Sequence, residues 1–156
     1  MKNLKNSIIC MLLILYSITL RAQYQQTIPL NEPDYNKEKL FADLPQKIAC
    51  PTNILAPLFI MDKGSQVNLP FSDKFIFRGF IVTHSDYSNT MVRTIVIRSS
   101  NRGGAVLSLT RLMDKEAIVS YKGRIISMNN SDAFELILEN GQYFFLKKNL
   151  YDLISE

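Results

Sequence analysis

Histidine and cysteine are nearly missing from this chain, whose 156 residues hold one histidine, His84, and two cysteines, Cys10 and Cys50. So small a set cannot supply the nitrogen and sulfur donors that zinc prefers, and no CxxC or HExxH spacing occurs. Nucleotide and phosphate signatures are missing as well. There is no GxGxxG, no P-loop and no GxSxG, and Gly103-Gly104 is too short a run to cradle a phosphate. Asn129, Asn130, Ser131 and Asp132, with Glu135 nearby, offer oxygen ligands but lack the alternation and glycine of a calcium loop, so they read as a turn. No cofactor and no metal are therefore assigned.

What is present begins with Lys2 and Lys5, followed by an apolar run from Ile8 to Leu15 that continues through Tyr16 to Leu20. A short positive region, an apolar stretch and a small residue soon after it are the parts of a secretory signal peptide. The expected cut lies after Ala22, so residues 1–22 form the leader and Gln23 begins the mature chain. A retained anchor is the rival reading, but the run falls short of the roughly 20 apolar residues that span a bilayer. The protein is expected to be exported, to the periplasm or out of the cell.

Removing the leader deletes Lys2, Lys5 and Arg21 from 18 basic residues and none from 14 acidic ones, turning a net charge of +4 into +1. That balance argues against nucleic acid, which needs a clustered basic field. Removal also takes Cys10, leaving Cys50 alone, so no intramolecular disulfide can form and stability must come from a core. Cys50, between Ala49 and Pro51, reads as a buried, inert thiol.

Residues 23–36 mix Gln, Pro and Asn without period and read as an extended linker, and residues 37–156 read as a single mainly antiparallel β domain. Asn36 can cap a short helix through Asp43, with Leu40, Phe41 and Leu44 on one face, and a second helical turn is expected after Pro51, shortened by Pro57. Beyond Val67, short apolar and β-branched runs alternate with turn residues. Strands are predicted at about 74–83, 91–100, 105–112, 117–121, 124–128, 133–139 and 142–147, with Lys122-Gly123 closing a hairpin and Gly79 marking a bulge or a close backbone approach. Asn140-Gly141 is the strongest turn signal, a two-residue type I′ hairpin that sets Glu139 opposite Gln142. Its period places Phe134, Leu136, Leu138, Tyr143 and Phe145 on the core face, while Ile137, Phe144 and Leu146 need cover from the helices or from Leu150, Leu153 and Ile154. The fold class is mainly β, with α+β as the alternative: an antiparallel curved sheet or small barrel of six to seven strands with short N-terminal helices.

Two function classes follow. In the first, the protein is a non-catalytic exported module that binds another protein, such as an inhibitor presenting an edge strand or the loop His84–Thr90. Its candidate partner-binding residues are Arg98, Arg102, Tyr87 and Tyr121, drawn from a basic middle segment, Lys74–Arg124, that carries +6 and suits an acidic protein or polysaccharide. The bland alternative is that these arginines decorate outer strand faces. In the second class, Cys50 and His84 form the nucleophile and base of a small hydrolase, and glycan binding through exposed tyrosines is a further possibility. The leader makes the first prediction. Intact mass of the protein recovered from the cell envelope or medium should match a chain beginning at Gln23, and a mass retaining residues 1–22 would overturn export with cleavage.

Overall fold

The computed structural model describes residues 36–86 and 91–154 of the chain. The leader, the linker before Asn36 and Tyr87 lie outside the described residues. Eight strands form one antiparallel sheet: β1 (Lys47–Ala49), β2 (Gln66–Ser72), β3 (Phe75–Asp86), β4 (Val92–Ser99), β5 (Val106–Met113), β6 (Val119–Ile126), β7 (Asp132–Glu139) and β8 (Gln142–Asn149). A short α1 (Thr52–Leu55) runs into a 3-10 turn (Ala56–Ile60), and α2 (Leu150–Ile154) follows β8. The sheet order is β1-β8-β7-β6-β5-β4-β3-β2, an up-and-down meander with β1 returned to the far side of β8. The result is a nearly closed, barrel-like sheet, as the short runs and tight turns predict.

The interior is a stack of side-chain layers. Along β4, Ile95 and Ile97 point inward, and register sets Ile97 beside Ile81 and Leu107, then Leu107 beside Ile125 and Ile125 beside Phe134. All of these side chains are essentially inaccessible to solvent. Around them an aromatic group of Phe41, Phe71, Phe75, Phe134 and Phe145 packs largely edge to face, with centroids 4.9–6.4 Å apart. Eight strands enclose a space just wide enough for side chains to fill, and here side chains fill it.

The hairpin at Asn140-Gly141 forms with φ of 50° and 78°, the left-handed pair that a type I′ turn requires, and Glu139 faces Gln142 as expected. Leu138 is a correction. It is 58% exposed because β6 and β7 part before reaching it: the β6–β7 ladder holds only Ile125–Phe134, Arg124–Glu135 and Gly123–Leu136, and beyond it β6 follows β5 while β7 follows β8. Beyond that ladder the Tyr143 hydroxyl bridges the gap and accepts the Tyr121 amide at 2.9 Å.

Three further expectations are corrected. The two strands predicted around Lys122-Gly123 are one strand, β6, because Gly123 serves close approach rather than a turn: a Cβ there would lie 2.5 Å from the Leu109 side chain. Residues 36–43 form turns instead of a helix, since Asp132, distant in sequence, takes the amides of Leu40 and Phe41 at 2.7 and 3.0 Å. Finally, β1 and β2 were not predicted, the first being three residues long and the second holding Asn68 and Pro70, which read as loop. The helical turn after Pro51 is present, and α2 adds another after β8. Gly79 is a close approach, where a Cβ would collide with the Arg98 carbonyl, and the bulge lies further on, between Ile81 and Thr83. Replacing Gly123 with Ala should therefore cost about 1–3 kcal/mol of stability by overpacking. Gly103→Ala, into open space, should stay within about 0.5 kcal/mol in the same thermal or urea unfolding experiment.

Candidate functional site

The two ends of the barrel differ. One end is strapped by residues 36–46. Phe41 is fully buried there, Arg102 grips the Asp43 carboxylate with both guanidinium nitrogens at 2.8 and 2.7 Å, and Lys147 donates to the carbonyls of Phe41 and Leu44 at 2.6 and 2.5 Å. The Arg102 hydrogen bonds hold the Asp43 carboxyl below its ordinary range. Arg102, expected in a partner patch, thus belongs to the strap.

At the opposite end the chain leaves β1, forms α1 and the 3-10 turn as a plug, and enters β2. Phe59 of the plug meets the Tyr121 ring at 5.9 Å, and Tyr121 meets Tyr143 at 5.7 Å. Tyr121 is therefore half-buried and faces inward, whereas Arg98 lies exposed on the outer face of β4. Register separates Tyr121 from the loop that carries Arg102: Tyr121 pairs with Arg111, while Val106, just past that loop, pairs with Ile126. Five residues of strand, about 16 Å, lie between those two pairs. Tyr121 thus shares no surface with Arg98 or Arg102, Arg102 is tied into the strap while Arg98 faces outward on β4, and Tyr87 lies outside the described residues.

Cys50 and His84 occupy different settings. Cys50 is wholly buried beside β8, its amide donating to the Tyr143 carbonyl at 2.9 Å, and desolvation alone pushes its thiol up to about 12. A nucleophilic thiol needs the opposite shift, supplied by a cation or a base. His84, in register with Ile95, faces inward, and its Nε2 is buried with no hydrogen-bond partner among the described residues.

Two features were not singled out from the sequence. The first is the free edge of β2. The Arg78 carbonyl accepts the Ser100 amide and the Arg78 amide donates to Asn101 Oδ1, so both point toward the β4 side, and Asn68, the partner of Arg78, must point its own backbone groups away from β3. By the same alternation Gln66 and Pro70 face outward from the sheet edge, where proline's missing N–H costs nothing. β2 has no ladder partner on that side among the described residues. Instead a groove of about 300 Å³ runs between Gln66–Pro70 and Ile54, Pro57, Leu58 and Met61.

The second feature is a row at this same plugged end, which stays open where β6 and β7 part, and there Asp86, Arg93, Arg111 and Tyr121 stand in register on four adjacent strands. Strand parity could have found it. Arg93 lies two residues before buried Ile95 and Arg111 two after buried Leu109, so both share the core face.

Compared with family models, with curated proteins and with solved structures, the chain matches none. Among the described residues no helix is long and apolar enough to cross a membrane. The thiol yields a prediction: Cys50 in the native protein should resist a thiol reagent such as DTNB at pH 8 and react at once in denaturant. Fast native labelling would restore it as a nucleophile.

Proposed function

We propose that this is an exported, non-catalytic binding module that takes an extended segment of another protein as an added strand along β2. The observation that carries the reading is the open edge itself. Gln66 and Asn68 each offer an N–H and a C=O, and Pro70 a C=O, along a groove whose opposite wall is apolar. Main-chain hydrogen bonds to such an edge give affinity, and pockets for alternate side chains give specificity. An apolar side chain of the guest would enter against Leu58 and Met61. Its outward neighbour would meet Arg78, which is exposed on β3 and tethered to Asn68 Oδ1 at 3.3 Å.

The preferred guest is thus an extended strand alternating apolar and acidic residues. Pro70 limits the edge to a short pairing and discourages endless association of copies. Export supports the reading through the leader, which would place the edge among envelope or extracellular proteins. The hydrolase reading gains nothing from a buried thiol whose ionisation is suppressed.

Asn68→Pro tests the proposal, because it removes an N–H that the fold does not use. The variant should melt within a few degrees of the parent, yet lose partner capture from an envelope extract. A photo-crosslinker at Gln66 should yield a defined adduct that one at Lys122, on the outer face of β6, does not. Capture that survives Asn68→Pro, or equal crosslinking from both positions, would refute strand addition.

A further inference from the structure

The arginine row at the open end sets two like charges side by side. Arg93 and Arg111 are direct cross-strand partners, which places their Cβ atoms roughly 5 Å apart, and like charges so placed repel. Asp86 stands in register with Arg93, but the next partner of Arg111 is Tyr121. The guanidinium of Arg111 instead reaches the Met113 sulfur at 3.9 Å, a weak acceptor that compensates its charge poorly. One layer deeper, His84 holds its buried Nε2 without a hydrogen-bond partner among the described residues. Arg111 is only half-buried and so remains reachable.

The surroundings of this row are apolar. Met91, Ile118 and Leu138 are 46%, 60% and 58% exposed at the tips of three neighbouring connections, and Ile60 on the plug is 81% exposed. Met113 stands between the arginines and this rim, and the Phe59–Tyr121 contact forms the floor. A positive centre flanked by a ring of exposed apolar side chains fits a molecule with both characters.

We infer that the open end is a binding site for an anionic amphiphile, a carboxylate carrying an apolar chain. The carboxylate takes the guanidinium of Arg111, displacing the Met113 sulfur. The apolar chain lies along Met113, Met91 and Ile118. The site is separate from the β2 edge, and the two readings stand or fall independently.

Isothermal titration of the purified protein with laurate tests this, with dodecyl maltoside as the uncharged control of equal chain length. Laurate should bind at one site and dodecyl maltoside should not. Arg111→Gln should weaken laurate about tenfold or more, the scale of one lost charged hydrogen bond, whereas Arg98→Gln, an equal charge change on the outer face, should stay within about twofold. Met113→Glu supplies a carboxylate from the chain itself. It should abolish laurate binding while raising the thermal midpoint, and it decides the matter if Arg111→Gln does not fold. Asn68→Pro should bind laurate normally. Absence of laurate binding, equal binding of the two detergents, or full binding by Arg111→Gln or Met113→Glu would overturn the assignment.

Discussion

The buried carboxylate of Asp132 is the interaction on which the rest of the structure depends. It is 4% exposed at the start of β7 and accepts two amides from residues 92 and 91 positions earlier in the chain, those of Leu40 and Phe41. Hydrogen bonds to a charged group contribute about 1.5–3 kcal/mol each. Here they do more than add stability, because they fix Phe41 in the aromatic core against Phe134 and Phe75. Lys147 then takes the Phe41 and Leu44 carbonyls, its own amide bonds to Gln46, and the chain is delivered onto β8 as β1.

From that delivery the open features follow. β1 ends after three residues, and its continuation folds into the plug across the other end of the barrel. β2 starts beyond the plug and is laddered only to β3 among the described residues, so its second edge faces the helical segment across a groove, with β1 close by but not hydrogen-bonded to it. At the same end β3 to β6 run past their outer neighbours, since β2 begins opposite Phe80 and the β6–β7 ladder stops at Gly123. Meanwhile the interior is filled by side chains. Binding is thereby pushed to edges and rims.

The sequence was legible where its signals are local. Alternation and the Asn-Gly turn predicted the β5, β7 and β8 regions closely, together with the register of the last hairpin. It failed where a distant residue decides. Nothing near residues 36–43 shows that Asp132 will take their amides, so the local pattern of Leu40, Phe41 and Leu44 read as a helix face. Gly123 looked like a turn because its crowded neighbour, Leu109, lies on another strand. Among candidate site residues, Arg102 and Tyr121 had the right chemistry for recognition but are occupied by the strap and by the plug. Arg93 and Arg111 were hidden by the habit of reading charged strand residues as outward, although parity with Ile95 and Leu109 says otherwise.

An unclosed seam along β2 is the central claim, and amide hydrogen exchange resolved by NMR measures it most directly. In the free protein Gln66 and Asn68 should exchange at least about 100-fold faster than Val67 and Leu69, whose amides face β3. Comparable protection at all four positions would contradict the account, because it would show that the edge already has a partner.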